Sequence, residues 1–259
     1  MADYAQLIKK HTKELAEMLS EEHGKTLLDA EGDVFRGYEV VEQCQSFTSL
    51  LQGETLENVA SGVDIYSYRH PLGVCSGVAP FNFPAMIPLW MYTTAITCGN
   101  TYVMKPSERV PNTSVRLIEL LEEAGCPPGV VNVVHGGSDT VTHICQDPDI
   151  KAISFVGGNT AGEYIWREGT KHGKRVQSNM GAKNHAIVLP DADKEDTLNA
   201  LTAACFGSSG QRCMAISVIV LVGDTKDWVP ELVERTKSLR LGTGQQNLDL
   251  APVNSKELL

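Results

Sequence analysis

The sequence predicts an α/β fold with a parallel sheet, followed by the start of a second α/β unit. Three observations predict it. Strand and helix candidates alternate from Gly73 to Glu168, the strand candidates are short and almost continuously apolar, and the pattern resets at Arg175. Alternation of this kind implies βαβ units. Strands apolar on both faces are those of a parallel sheet covered on both sides. Ligands of such sheets bind at the carboxyl ends of the strands.

Each element has a local cause. Leu7, Ile8, Leu15, Met18 and Leu19 recur at helical spacing, and a second helical stretch runs from about Thr26 to Leu51. Ile65 to Tyr68 is a short strand candidate. Gly73 to Ala79 reads as a buried strand ending at Pro80. The spacing then predicts helices over 84–97, 112–124, 140–145 and 160–168. It predicts strands over 101–104, 130–134 and 152–156. After the reset, 176–180 and 186–189 are strand candidates, 194–205 is a helix, 213–222 is an apolar strand and 228–239 is a helix. The expected division is 1–180 and 181–259.

The chain has 259 residues, of which 42% are hydrophobic and 21% charged, enough for a substantial core. A net charge of -10 argues against generic nucleic-acid binding, which needs a basic face. Seven cysteines, with no C-x-x-C pair and no zinc-type spacing, read as free thiols rather than as a metal site. No apolar run approaches the roughly 18 residues of a membrane span.

Familiar nucleotide and hydrolase signatures are absent: no G-x-G-x-x-G follows a strand, and G-x-S-x-G does not occur. Five other segments can carry chemistry. Cys213 follows a Gly/Ser/Gln loop and has Arg212 beside it. Backbone N–H groups and a cation around a thiol favour thiolate, the attacking species, although a buried structural cysteine has the same pattern. Asn82, in Pro80-Phe81-Asn82-Phe83-Pro84, is either an amide donor to an oxyanion or a turn residue bonded to its own backbone. Lys105 and Glu108 suit the two hydroxyls of a ribose, or a solvated salt bridge. Phe155-Val156-Gly157-Gly158-Asn159 joins a strand to a helix, as either a pyrophosphate site or a plain turn. At the reset point, in Asn179-Met180-Gly181-Ala182-Lys183, Gly181 and Ala182 either permit close backbone approach or form a simple interdomain turn.

Taken in chain order, from Pro80 to Cys213, the segments resemble the successive motifs of the aldehyde dehydrogenase superfamily, over essentially the whole chain. The longer strings 79–88, 105–111 and 179–185 are similar to its CoA-acylating branch, which oxidises methylmalonate semialdehyde. The resemblance implies a parallel-sheet NAD-binding domain plus an incomplete α/β catalytic domain. Cys213 would be the nucleophile, with Asn82 and the Cys213 N–H as the oxyanion hole. Ala79, Phe81, Lys105, Glu108, Arg109 and Gly158 would line the NAD site, and Arg36 and Arg212 would hold the substrate carboxylate. Coenzyme A would be a co-substrate and no metal is implied. Asn179 stands where hydrolytic relatives carry a Glu, and Gly158 where many carry Ser. The resemblance further implies a homo-oligomer when full length, in the mitochondrial matrix if the source is eukaryotic and otherwise in the cytoplasm. Family members continue beyond this chain, so the expectation is a fragment, inactive and poorly soluble alone. A hydrolytic aldehyde dehydrogenase and a non-catalytic NAD-binding module are the alternatives.

Overall fold

The computed structural model describes residues 1–246 and 248–258. The chain forms two compact units, one of Met1–Thr12 with Asp33–Asn179 and one of Lys13–Gly32 with Met180–Leu259.

Four helices open the chain: α1 (Ala2–Lys10), α2 (Thr12–His23), α3 (Leu27–Cys44) and the short α4 (Phe47–Leu50). The first periodic stretch is two helices rather than one, because His11 leaves helical geometry at φ -99, ψ 10. The second stretch stops at Cys44. There the Ser46 hydroxyl donates to the Gln43 carbonyl at 2.7 Å, a local bond that competes with continued helix. In α1 the Tyr4 hydroxyl donates to the Leu117 carbonyl at 2.9 Å and lies 2.5 Å from the Tyr92 hydroxyl. Burial raises both phenols well above their usual range, so this link is made of neutral groups.

A hairpin follows, β1 (Thr55–Ala60) and β2 (Val63–Tyr66), turning at Gly62 with φ +76. Only its second arm carries a strand signal in the sequence. Both arms are exposed along their whole length, so neither shows the apolar/polar alternation of a half-buried strand.

The first unit is organised around five strands: β3 (Val74–Val78), β4 (Thr101–Lys105), β5 (Val131–Val133), β6 (Ile150–Val156) and β7 (Arg175–Asn179). All neighbours are parallel, in the order β5-β4-β3-β6-β7. The connecting helices are α5 (Met86–Thr97), α6 (Asn112–Glu123), α7 (Ser138–Gln146) and α8 (Asn159–Lys171). The chain builds outward from β3 to the β5 edge, then returns to the far side of β3. The strand order therefore reverses between β3 and β6, where loops leaving the carboxyl ends diverge and open a crevice. Beneath it lies a core of Val78, Ile144, Cys145, Ile150, Ile153, Phe155 and Ile165.

Helix α5 begins at Met86, whose N–H donates to the buried Asp33 carboxylate at 2.8 Å, a cap supplied from α3. It packs through Met86, Ile87, Leu89, Met91 and Tyr92. Gly77 is glycine for packing reasons. A Cβ there would collide with the Tyr102 hydroxyl and come within 2.9 Å of Met91 Sδ.

In the second unit β8 (Asn184–Val188) pairs in parallel with β9 (Ile216–Leu221), joined by α9 (Lys194–Phe206); α10 (Val229–Lys237) follows. Asp193 caps α9 by accepting the Asp196 N–H at 2.9 Å. The strand expected from Cys213 starts only at Ile216, because 212–215 is a turn closed by the Ala215 N–H on the Arg212 carbonyl at 3.1 Å. Among the described residues no helix is long and apolar enough to cross a membrane.

Candidate active site

In the first unit the expected cofactor residues gather at the carboxyl ends of β3, β4 and β6. The Ala79 N–H donates to the Lys105 carbonyl at 3.0 Å, which ties the ends of β3 and β4 together. The Arg109 guanidinium lies 5.9 Å from the centre of the Phe81 ring, within cation–π range. Lys105 is buried, and its Nζ donates to the Pro106 carbonyl and to Glu108 Oε2, both at 3.0 Å. Glu108 is exposed. Partial desolvation pulls its carboxyl up, but its own backbone N–H and Lys105 pull harder, leaving it below the usual carboxylate range. Asn82 is half-buried in the loop between β3 and α5.

Gly158 caps α8 in an extended conformation, φ -73 and ψ 155. Nothing lies within 4 Å of where its Cβ would stand, so position 158 has room for a side chain. Its neighbour Gly157 donates its N–H to the Asn179 carbonyl at 3.1 Å, joining the β6 loop to the end of β7. Arg36 is exposed on α3, where its carbonyl accepts the Trp90 indole N–H at 3.3 Å.

Cys213 is exposed in the second unit, at the end of a loop of unusual backbone. Ser208, Ser209 and Gly210 have φ of 52, 55 and 73, three consecutive left-handed residues. Strain of this kind persists only where the surroundings over-determine it. Here the Ser209 hydroxyl donates to the Ala251 carbonyl, and the Asn254 N–H donates to Gln211 Oε1 at 3.0 Å. The Asn184 amide donates to the carbonyls of Cys213 at 2.8 Å and of Ala215 at 3.0 Å, clamping the backbone on both sides of Met214.

Arg212, expected to hold the substrate carboxylate, is paired with a carboxylate of the chain itself. Its Nη2 donates to Asp29 Oδ1 at 2.6 Å, and Asp29 Oδ2 accepts the Ser208 N–H at 3.2 Å. Both residues line a groove of about 590 Å³. Reading the sequence alone misses Asp29 and the clamp role of Asn184. Asn184 stands inside a motif string, whereas no local signal marks Asp29, which is 183 residues from its partner. Among the described residues no group of acidic, His and Cys side chains could hold a metal ion.

A family model described as the aldehyde dehydrogenase family matches residues 1–259. A human protein named methylmalonate-semialdehyde/malonate-semialdehyde dehydrogenase [acylating], mitochondrial, is 60% identical over 96% of this chain and 47% of its own length. A Dictyostelium discoideum protein named as a probable enzyme of the same kind is 59% identical over 98% of this chain and 48% of its own. The chain thus spans about half the length of the curated relatives it matches. A Sinorhizobium meliloti structure, named as a putative methylmalonate-semialdehyde dehydrogenase complexed with NAD, superposes with a TM-score of 0.97. It is 47% identical, over 99% of this chain and 53% of that one. The corresponding enzyme of Oceanimonas doudoroffii gives a TM-score of 0.96 at 44% identity, over 99% and 53%. The chain belongs to the aldehyde dehydrogenase family.

Proposed function

We propose that this chain serves the NAD-dependent oxidation of malonate or methylmalonate semialdehyde, with transfer of the acyl group to coenzyme A and loss of carbon dioxide. The observation that carries the reading is Cys213, an exposed thiol on a strained loop held by Asp29, Ala251, Asn254 and Asn184. The names of the relatives support the acylating chemistry, and the NAD of the Sinorhizobium complex supports the cofactor.

The residues suit a dinucleotide. Gly158 stands at the N-terminus of α8, a helix end suited to a pyrophosphate, and the Lys105–Glu108 pair offers a donor and an acceptor to ribose hydroxyls. Gly158 has room for a side chain, so Gly158→Ser is expected to tighten NAD binding by about 1 kcal/mol, one added hydrogen bond. Unchanged affinity in a calorimetric titration would contradict this assignment.

In the proposed reaction the Cys213 sulfur bonds to the aldehyde carbon, and the carbonyl electron pair moves onto oxygen. Asn82 is the proposed amide donor to that oxyanion. NAD, when bound, supplies the acceptor for the hydride. What remains on Cys213 is a thioester. Asn179 ends β7, and its amide cannot take a proton from water near neutral pH. The thioester therefore waits for the thiol of coenzyme A, whose attack returns the Cys213 thiolate. The substrate carboxylate leaves as carbon dioxide when its C–C bond breaks toward the carbonyl-stabilised carbon, which then takes a proton. The apolar, exposed hairpin β1–β2 supports self-association.

Mass spectrometry of the whole gene product, incubated with NAD and malonate semialdehyde, tests the reading. An acyl group on Cys213, released by coenzyme A and stable without it, is expected. Its absence, or equal release of free acid without coenzyme A, would overturn the proposal. Asn179→Glu is expected to raise the free-acid fraction about 10²-fold by supplying a base for water.

A further inference from the structure

We propose that Asp29 is the positioning residue of the nucleophile loop, and that its carboxylate is the resident counter-ion of Arg212 until an anionic substrate displaces it. The proposal rests on the reading of Cys213 as nucleophile. Asp29 sits in the first turn of α3 and commits both oxygens to one loop. Oδ2 takes the Ser208 N–H at 3.2 Å, where the left-handed run begins, and Oδ1 takes Arg212 Nη2 at 2.6 Å, one residue before the sulfur. The guanidinium also lies over Gly207, where a Cβ would meet its carbon and nitrogens at 2.6–2.7 Å. The loop backbone and the arginine are therefore set by the same carboxylate.

This pairing is incomplete in a way that points to a ligand. A guanidinium holds a carboxylate best through two parallel N–H bonds. Asp29 gives Arg212 a single oxygen, because the other is occupied by Ser208. Arg212 Nε is buried and has no hydrogen-bond partner. A carboxylate that satisfies a second N–H of the guanidinium would outcompete Asp29, and leaving that donor unpaired is costly meanwhile. The class of ligand this selects is a small molecule with a free carboxylate near its reacting carbonyl. Neutral aldehydes have nothing to exchange for Asp29.

Alkylation of Cys213 by two probes of similar size tests this: iodoacetamide, which is neutral, and iodoacetate, which is anionic. The rate of each is read on the Cys213 peptide by mass spectrometry. In Asp29→Asn the iodoacetate-to-iodoacetamide ratio should rise on the order of fivefold, the effect of one unmasked charge a few ångströms away in water. Salt at about 1 M should shrink the rise by screening. Asp29→Glu should keep the original ratio, and adding Arg212→Gln to Asp29→Asn should abolish the rise. Arg212→Gln alone leaves Asp29 without its cation, so its ratio should fall below that of the unaltered chain; this holds the proposal to account if Asp29→Asn does not fold. An unchanged ratio in either folded single variant overturns the role of Asp29. The ratio is independent of absolute rate, so a slow Cys213 with a shifted ratio counts against the nucleophile and not against Asp29.

Discussion

Cys213→Ser, made in the whole gene product, is expected to lower thioester-dependent turnover by at least about 10⁴-fold, the scale seen when a covalent nucleophile is removed. The two side chains differ by one atom, so the change tests chemistry more than packing. A free thiol is a few per cent thiolate at neutral pH, whereas a serine hydroxyl without a partnered base is essentially never ionised. Arg212 offers a positive charge but no site for a proton, so nothing beside position 213 in the chain can activate an alcohol. The backbone of the loop should survive, since its bonds run through Asp29, Ala251, Asn254 and Asn184 and none uses the sulfur. A circular-dichroism spectrum matching that of the unaltered protein, together with loss of NAD reduction, is the expected pair of results. A serine variant retaining more than about a hundredth of the turnover would mean that the sulfur is not the attacking atom.

What could be read from the sequence follows the distance over which each feature is determined. Strand β4 and helix α6 were legible because their causes are local: a run of Tyr102, Val103 and Met104, then Pro111 ahead of an amphipathic stretch. The Lys105–Glu108 pair is legible for the same reason, its partners standing three positions apart in the chain. The Arg109 stack on Phe81 joins two motifs through the β3–β4 pairing, so the sequence names its partners but not their meeting. The first arm of the hairpin carries no burial pattern because neither face is covered. The membership of Lys13–Gly32 in the second unit is the least legible feature. It depends on contacts such as Asp29 with Arg212 and the His23 carbonyl with Asn254, which lie roughly two hundred residues apart and leave no periodic trace.

That same segment leads to the second large effect, a loss of stability in acid centred on His23. The ring is buried beside the equally buried Lys25. Burial, and then the Lys25 charge, lower its pKa from 6.5 to about 3. As pH falls through about 6.5 the unfolded chain takes up this proton, while the folded chain does not until about pH 3. The contribution to stability is therefore intact above pH 6.5 and is lost at about 1.4 kcal/mol per unit below it. The loss reaches roughly 2 kcal/mol by pH 5 and about 4–5 kcal/mol by pH 3. Carboxylates lowered in the folded state, such as Glu108 and Asp249, act in the same direction but only as pH falls below their ordinary range. The interval from pH 6.5 to 5 therefore isolates the histidine. Urea denaturation across that interval should show the slope in the unaltered protein and a flat line in His23→Gln. A slope that survives the substitution would place the acid sensitivity in another group. The effect should also reach the nucleophile loop, because the His23 carbonyl accepts the Asn254 side-chain N–H at 3.2 Å and the Asn254 backbone N–H holds Gln211. An opening that exposes His23 takes up the same proton as unfolding does and releases one of the pins that keep Ser208, Ser209 and Gly210 in their left-handed run, so the protection factors of the loop amides, corrected for the intrinsic pH dependence of exchange, should fall over the same pH range as the stability.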